Sequence, residues 1–275
     1  MSEDAKEVPI TERTVVYRIP GQGAVTVRTD IPYGDGLTMD IYYPLDSNSG
    51  ARTPAVVFVT GYPDPGFQKM LGCLQKDMAS YVGWAELVAA SGLVAITYAN
   101  RESSGDAHAV LAYIRQNATS LGVDENRIGV WSCSGNAPTA LSVLIQEPHD
   151  FLKCAVLCYG FMLDLDGTTS VADASRIWRF ANPSAGKSVD DLPLDLPLFI
   201  ARAGRDETPH LNETIDRFLS KALDRNLPIT FVNHADAPHA FDISHDSETS
   251  REIIRRVLSF LQSHLLDGRS RELLA

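Results

Sequence analysis

The chain carries near its middle the stretch Arg127-Ile128-Gly129-Val130-Trp131-Ser132-Cys133-Ser134-Gly135-Asn136. The apolar run is typical of a buried strand, and the small residues after it predict a tight turn with a serine at its tip. At such a turn the serine hydroxyl projects from the sheet, and the next backbone N–H is free to bind an oxyanion. The positions two before and two after the serine must be small, because the strand and the following helix pass close together. Ser132 and Asn136 occupy them around Ser134, giving a variant of Gly-x-Ser-x-Gly in which Asn136 fits less well.

Cys133 is a second candidate for the nucleophile, since the turn can also be placed one residue earlier. In that register Trp131 occupies a position that requires a small residue. The pattern therefore favours Ser134 as the nucleophile and predicts Cys133 as a packed thiol.

Two downstream segments carry the groups that a serine nucleophile needs. A serine hydroxyl is weakly nucleophilic at neutral pH and requires a base, usually histidine, which an acid holds in the right tautomer. The apolar run 196–202 is followed by Asp206, and the β-rich run 228–232 leads to His239. The sequence therefore predicts Asp206 as the acid and His239 as the base.

Neighbouring residues compete for both roles. Glu207 is adjacent to Asp206, and Asp236 and Asp242 lie on the same loop as the candidate base. A carboxylate on the loop directly after a strand is better placed, which favours Asp206. His234 is the main rival for the base, although a solvated loop histidine is the simpler interpretation of it.

Strand and helix signals alternate along the chain, which predicts an α/β fold with a mostly parallel sheet and helices on both faces. The first strands, 25–30 and 37–43, form a hairpin, with 15–19 as an additional edge strand. Further strands are predicted near 54–60, 93–98, 127–132, 153–158, 196–202 and 228–233. Helices are predicted near 80–91, 105–121, 135–146, 208–225 and 248–266. The segment 161–192 lacks clear periodicity and is expected to form a small cap inserted after the sixth strand.

Aromatic residues near the carboxyl ends of the strands, or in the segment 161–192, are candidates for the wall of a substrate pocket. The principal candidates are Phe67, Phe161 and Trp178. Further candidates are Tyr62, Trp84, Met162 and Phe180. No arginine pair or cluster of metal ligands stands out, so an uncharged substrate is expected, with no cofactor and no metal.

Five motifs, taken in order, resemble those of an α/β-hydrolase fold carboxylesterase of the dienelactone hydrolase-like kind. They are Val56-Val57-Phe58-Val59-Thr60-Gly61-Tyr62, the Asp-x-x-Arg-Ile-Gly of 124–129, the turn at Ser134, Gly204-x-Asp206 and His239-x-Phe241. The resemblance covers roughly residues 24–266 and implies a sheet of about eight strands. It also implies that Ser134, Asp206 and His239 are a catalytic triad. The implied oxyanion hole is formed by the backbone N–H groups of Tyr62 and Gly135.

The same resemblance implies hydrolysis of a small to medium uncharged carboxylic ester through an acyl-enzyme. Thr60-Gly61-Tyr62 replaces the His-Gly-Gly of the hormone-sensitive-lipase branch, so the likeness to that branch ends at this loop. A peptidase, an acyltransferase and a non-catalytic binding protein on the same scaffold remain as alternatives. A homodimer is a further hypothesis, because dimers are common in the family.

Length and charge agree with a single α/β-hydrolase domain over residues 1–275. The formal net charge of −11 argues against a nucleic-acid partner, because phosphate binding needs clustered Lys and Arg. The start Met1-Ser2-Glu3-Asp4 is charged where a secretory signal is apolar, and no run approaches the roughly 18 apolar residues of a membrane span. A cytoplasmic protein without membrane contact is therefore expected. The four cysteines do not make a disulfide framework in a chain of this length.

Overall fold

The computed structural model describes residues 8–45, 52–147 and 150–266. Its strands are β1 (Thr26–Gly34), β2 (Leu37–Tyr43), β3 (Thr53–Phe58), β4 (Val94–Tyr98), β5 (Val123–Cys133), β6 (Leu152–Cys158), β7 (Leu198–Ala203) and β8 (Ile229–His234). They form one eight-stranded sheet in the order β1-β2-β4-β3-β5-β6-β7-β8. The pairs β1–β2 and β2–β4 are antiparallel and the other neighbours are parallel. The predicted, mostly parallel sheet is confirmed.

The α-helices lie between and after these strands. They are α1 (Asp64–Leu71), α2 (Ala79–Ala90), α3 (Ser103–Gln116), α4 (Ala118–Leu121), α5 (Ala137–Gln146), α6 (Ser170–Trp178), α7 (Leu211–Asp224), α8 (Phe241–Ser244) and α9 (Glu248–Leu265). Side chains of α3, α5 and α7 fill one hydrophobic core, and side chains of α2 and α9 fill another. Helices therefore cover both faces of the sheet, as predicted.

The central strands carry long apolar runs because both of their faces are covered. In β3, Ala55 and Val57 belong to the core beneath α3 and α5, whereas Val56 and Phe58 belong to the core beneath α2 and α9. Successive side chains of a strand point to opposite faces, so an uninterrupted apolar run supplies both cores.

This architecture gathers three loops at one edge of the sheet. The strands β5, β7 and β8 are joined through parallel pairings, so their carboxyl ends lie at the same edge. Ser134 follows β5 directly, Asp206 follows β7, and His239 lies on the loop between β8 and α8. Groups that are far apart along the chain are thereby brought within reach of one another.

The prediction of an edge strand at 15–19 is wrong. This segment is not part of a strand, and β1 is the edge of the sheet on that side. Val15 is buried in the core beneath α2 and α9, and the N–H of Val16 donates to the carbonyl oxygen of Asp242 at 2.8 Å. The β-branched residues pack against helices here, because their backbone finds a partner away from the sheet.

One helix prediction also needs correction, and the helix α1 was missed. The helix predicted at 105–121 is divided into α3 and α4 at Asn117, whose side-chain amide donates to the carbonyl oxygen of Tyr113 at 2.9 Å. Such a side-chain bond to the backbone competes with helix continuation. The short helix α1 was not predicted, since Pro65 and Gly66 in its first turn hide the helical signal. Within the described ranges, no helix combines the length and the apolarity needed to cross a membrane.

Candidate active site

Ser134 adopts a left-handed backbone conformation directly after β5, with φ of 54°. A left-handed conformation costs a residue with a side chain about 1–2 kcal/mol, so the fold must hold this turn in place. A 3-10 helix (Ser134–Asn136) follows and leads into α5. Ser132, two positions earlier, is fully buried, and its hydroxyl donates to the carbonyl oxygen of Val59 at 3.2 Å. The strained strand-to-helix turn predicted from the sequence is therefore present.

The structure brings Ser134, His239 and Asp206 together. Ser134 Oγ lies 2.9 Å from His239 Nε2, and His239 Nδ1 lies 2.6 Å from Asp206 Oδ2. The other carboxylate oxygen of Asp206 accepts a hydrogen bond from the N–H of Thr208 at 2.9 Å. The imidazole therefore joins a hydroxyl to a carboxylate, which is the geometry that a general base requires.

The carboxyl of Asp206 is fully buried, whereas the imidazole of His239 keeps about a third of its surface exposed. Burial by itself would raise the pKa of Asp206. The hydrogen bond and charge of His239, together with the bonds from Thr208, outweigh burial and lower that pKa below its usual range. Asp206 is therefore ionised at neutral pH and stabilises positive charge on the ring.

Two of the rival residues, Asp236 and His234, are engaged elsewhere. Asp236 forms a surface ion pair with Arg205 at 2.7 Å. The interpretation of His234 as a solvated loop residue is wrong, because it ends β8 and is buried, with its Nε2 3.1 Å from the hydroxyl of Ser250. The sequence favoured Asp206 and His239 over these two residues, and the loops after β7 and β8 bring the favoured pair to Ser134.

Cys133 has the wrong properties for a nucleophile. Burial of the thiol and the nearby charge of Asp242 raise its pKa to about 12. Its sulfur lies 3.9 Å from both the hydroxyl of Tyr81 and the amide nitrogen of Asn136. A thiol with so high a pKa is almost entirely protonated at neutral pH and reacts poorly.

The loop after β3 lies against the serine turn. A Cβ atom added to Gly61 would approach the carbonyl oxygen of Gly135 to 2.8 Å and Cα of Asn136 to 2.9 Å, so glycine is required for this contact. Within the described part of the chain, neither the backbone N–H of Tyr62 nor that of Gly135 has a hydrogen-bond acceptor. The assignment of these two N–H groups as the oxyanion donors stays a prediction.

Asn136 is a functional residue that the sequence pattern misjudged. It is 1% exposed, and its Oδ1 accepts hydrogen bonds from the N–H of Gly61 at 2.6 Å and from the amide of Gln75 at 3.3 Å. Its Nδ2 donates to the hydroxyl of Tyr81 at 2.9 Å. The side chain thus fixes the loop after β3 to the serine turn. The one sign of this role in the sequence is that asparagine, and not glycine, stands two residues after Ser134.

Asp242 is a second residue whose role was missed. Its buried carboxylate accepts hydrogen bonds from Trp84 Nε1 at 2.7 Å and from the hydroxyl of Tyr159 at 2.5 Å. Burial raises its pKa, although these two donors oppose that effect. The ring of Tyr159 packs edge-on against the imidazole of His239, with 5.1 Å between centroids. Asp242 therefore holds in place the wall behind the imidazole.

A cavity of about 430 Å³ opens beside Ser134 and His239. Phe67 and Trp178, both predicted pocket residues, contribute to its lining together with Tyr62 and Trp84. Most of the remaining lining is apolar, with Met70, Leu71, Met78, Ile177 and Ile243 among its residues. A cavity of this size is large enough for a small organic ligand.

Phe161 does not line this cavity, contrary to the prediction. Its ring is buried and stacks on Phe180, with 5.4 Å between centroids, in the core beneath α3 and α5. The backbone of Phe161 lies near the site, because its N–H donates to the carbonyl oxygen of Ser134. Its side chain points away and packs in this core. The cavity is lined instead by core residues of the opposite face, beneath α2 and α9.

The segment 161–192 contributes α6 and the chain that follows it to the surroundings of the site. Ile177 and Trp178 end α6 at the cavity, and the N–H of Ala181 donates to the carbonyl oxygen of Gly61 at 2.7 Å. Its action as a cap stays a prediction. Among the residues described, no group of three or more His, Cys, Asp or Glu side chains is arranged to hold a metal ion.

The sheet order, the strained serine turn and the loops after β5, β7 and β8 define the α/β-hydrolase fold. Solved structures of esterases share it. One is a fungal esterase from Rhizomucor miehei, with 16% identity and a TM-score of 0.69 over 88% of this chain and 84% of that one. Esterase B from Lactobacillus rhamnosis has 14% identity and a TM-score of 0.68 over 94% and 91% of the two chains.

An esterase from the archaeon Pyrobaculum calidifontis is also similar, with 22% identity and a TM-score of 0.65 over 87% of this chain and 85% of that one. No protein-family model matches the sequence, and no curated protein matches it at a significant level. The similarity to solved structures therefore lies in the fold, and the finer likeness to dienelactone hydrolases stays a prediction.

Proposed function

We propose that this chain is a serine hydrolase that cleaves uncharged carboxylic esters, with Ser134 as nucleophile, His239 as base and Asp206 as acid. One observation carries the proposal, namely the continuous contact from Ser134 Oγ through the imidazole of His239 to the buried carboxylate of Asp206, at 2.9 Å and 2.6 Å. It is supported by the esterase names of the structures that share the fold.

In the first half of the reaction, His239 Nε2 removes the proton of Ser134 as Oγ attacks the ester carbonyl carbon. The carbonyl π-bond opens and its electron pair moves to the oxygen. The N–H groups of Tyr62 and Gly135 then donate to this oxyanion, and such donors are typically worth about 2.7–4 kcal/mol in the transition state. The imidazolium gives its proton to the leaving alcohol, which departs and leaves the acyl group on Ser134.

In the second half, His239 removes a proton from a water molecule that attacks the acyl carbonyl. The same two N–H groups bind the oxyanion again. Collapse of this intermediate releases the carboxylic acid, and the proton held by His239 returns to Ser134 Oγ. Asp206 remains ionised in both halves and stabilises the imidazolium.

An uncharged ester is favoured because most of the cavity lining is apolar. Besides His239, the charged side chains that line the cavity are Arg179, which is exposed to solvent, and Asp242, which already accepts hydrogen bonds from Trp84 and Tyr159. Transfer of a charged group into an apolar environment is costly unless a partner of opposite charge is present. The three residues do not by themselves select ester hydrolysis, since a peptidase or an acyltransferase would use the same three. The choice of an ester is therefore a separate part of the proposal.

The test combines turnover with labelling. We expect the purified protein to hydrolyse p-nitrophenyl butyrate, and Ser134→Ala to lose at least about 10³-fold in kcat while keeping its circular dichroism spectrum. A fluorophosphonate probe should label the wild type at Ser134, as located by peptide mapping. Ser120→Ala is the matched control, because Ser120 is exposed on α4.

Each alternative has its own result. Failure of the probe to label Ser134, together with absence of turnover, would replace the proposal by a non-catalytic binding protein. Faster cleavage of the matching anilide would indicate a peptidase, and faster product formation with an added alcohol than with water would indicate an acyltransferase.

A further inference from the structure

Four large apolar side chains are exposed at the mouth of the cavity that contains Ser134. They are Ile10, Met70, Ile177 and Trp178, with 44%, 59%, 69% and 50% of their surface exposed. All four line the same cavity as Ser134 and His239. Exposed apolar side chains are ordinary when scattered singly, but a group around one opening indicates a binding surface. We call these four residues the rim.

The rim is assembled by the tertiary fold from three separate parts of the chain. Ile10 begins a 3-10 helix (Ile10–Glu12), Met70 lies in the last turn of α1, and Ile177 and Trp178 end α6. Exposed apolar side chains on other elements, such as Leu194 and Leu223, do not line the cavity. The convergence of three segments on one opening is therefore a property of this site.

The apolar surface continues inward from the rim. Leu71 follows Met70, and Phe67 on the same helix is buried against the ring of Tyr62, with 5.7 Å between centroids. Tyr62 carries one of the two backbone N–H groups proposed to bind the oxyanion. Apolar side chains thus extend as a path from the rim inward to Tyr62, in the same cavity as Ser134 and His239.

We propose that the rim and this path bind a hydrocarbon chain of the ester, so that the preferred substrates carry a medium to long alkyl chain. The inference rests on the proposed ester hydrolysis and narrows its substrate class. An acetyl group would leave most of the 430 Å³ cavity and the whole rim without contact. A longer chain removes both the cavity wall and the rim from water.

The occupant is a substrate chain because the rim is continuous with Ser134 and His239 in one cavity. A second copy of the protein or a lipid surface would cover the rim but would leave the inner path unused. The net charge of −11 further disfavours an anionic lipid surface.

The expected effect grows with chain length. Each methylene that leaves water increases kcat/KM by up to about fourfold, until the chain extends past the rim. A series of p-nitrophenyl esters from acetate to dodecanoate, kept below the concentrations at which they aggregate, measures this dependence for the acyl half. A series of acetate esters of straight-chain alcohols measures it for the alcohol half.

The rim is tested by Met70→Ser, Ile177→Ser and Trp178→Ser. We expect each to lower the ratio of kcat/KM for decanoate to kcat/KM for acetate by about tenfold, because the chain loses an apolar contact. Leu194→Ser and Leu223→Ser are matched controls, since both remove an exposed leucine away from the cavity and should keep the wild-type ratio.

Binding provides a readout that does not depend on turnover. Ser134→Ala should bind methyl decanoate at least about tenfold more tightly than methyl butyrate, as followed by tryptophan fluorescence, and adding Ile177→Ser should remove the difference. If no ester is hydrolysed but this preference remains, the proposed function fails, and only the binding of a hydrocarbon chain by the rim and the path stands.

Three results would overturn the inference. They are equal kcat/KM along both ester series, rim variants that behave as the leucine controls do, and equal binding of the two methyl esters. A change of mass in light scattering on Ile177→Ser would assign the rim to contacts between copies instead. Chain-length dependence that appears only with added neutral lipid vesicles would assign it to a lipid surface.

Discussion

Asn136 Oδ1 accepts a hydrogen bond from the backbone N–H of Gly61 at 2.6 Å. This bond joins the turn that carries the nucleophile to the loop that carries the Tyr62 donor. The sequence pattern expects glycine at position 136, where a small residue lets strand and helix approach. In this protein the strand and the helix still lie close together, and the buried side-chain amide of Asn136 lies between the two loops. The spacing of the two proposed oxyanion donors therefore depends on a side chain.

Replacing Asn136 by glycine should impair the protein although it restores the Gly-x-Ser-x-Gly pattern. The change leaves the N–H of Gly61 and the side-chain amide of Gln75 without their acceptor, and it removes the donor to the hydroxyl of Tyr81. An unsatisfied buried group costs about 1–3 kcal/mol, so the free energy of unfolding in urea should fall by that order. We also expect kcat for p-nitrophenyl butyrate to fall by at least about tenfold, since the donor loop loses its tether.

Asn126→Gly is the control for this experiment, because Asn126 is exposed on β5 and the residue types exchanged are the same. Unchanged kcat and unchanged stability in Asn136→Gly would show that the tether is not needed.

The thiol of Cys133 should resist alkylation in the folded protein. With a pKa of about 12, the thiolate fraction at about pH 8 is on the order of 10⁻⁴. We expect iodoacetamide to leave both the activity and the mass of the peptide containing Cys133 unchanged over one hour. The urea-unfolded protein is the control, in which every cysteine should react. Rapid inactivation with modification at Cys133 would return the thiol to consideration as the nucleophile.

Asp206 should make stability depend on pH in a defined direction. Its pKa is lowered in the folded state, so its contribution to stability is present above the usual carboxyl pKa of about 3.9 and is lost as pH falls through the lower folded value. The difference in unfolding free energy between the wild type and Asp206→Asn should therefore be largest near neutral pH and shrink in acid. Urea titrations between about pH 3 and pH 7 measure it.

Asp206→Asn should also lower kcat by about 10⁴-fold, because an amide favours the wrong tautomer of the imidazole. Asp195→Asn is the matched control, since Asp195 is exposed on the loop before β7. A stability difference for Asp206→Asn that grows toward acid pH would contradict the assigned direction of the pKa shift.

Removing the carboxylate of Asp242 should destabilise the fold and slow the reaction. Asp242→Ala leaves the buried donors of Trp84 and Tyr159 without an acceptor, at a cost of about 1–3 kcal/mol for each donor. Asp242→Asn keeps one acceptor and should lose less. Urea unfolding gives the order of stability, and kcat for p-nitrophenyl butyrate reports the effect on the neighbouring imidazole. An alanine variant as stable as the wild type would refute this role.

Much of the architecture could be read from local patterns. Strands β3 to β7 were predicted because apolar runs are needed where both faces of a sheet are covered, and β8 was predicted from its β-branched and aromatic residues. The three residues that meet at the site were predicted because each directly follows, or lies on the loop after, a strand. Parallel strands place such loops at one edge whatever the details of packing.

The remaining features depend on partners that are distant in the chain. The segment 15–19 has the composition of a strand, but the backbone of Val16 pairs with Asp242 instead of with a sheet edge. The aromatic residue Phe161 is close to the site in sequence, yet its ring faces the core beneath α3 and α5. The local sequence of 15–19 fits both a strand and an irregular segment, and that of Phe161 fits both a pocket residue and a core residue. In each case, packing against particular neighbours decides between the two.

The spacing of apolar residues along the chain depends on which face of a strand or helix is covered. It therefore predicts strands, helices and the loops between them. It does not record which side chain from elsewhere completes a hydrogen bond. For this reason the bond between Asn136 and Gly61, the carboxylate of Asp242 behind the imidazole, and the meeting of Ile10, Met70 and Trp178 at one opening emerge from the packed structure. Each is set by contacts between segments that the chain keeps far apart.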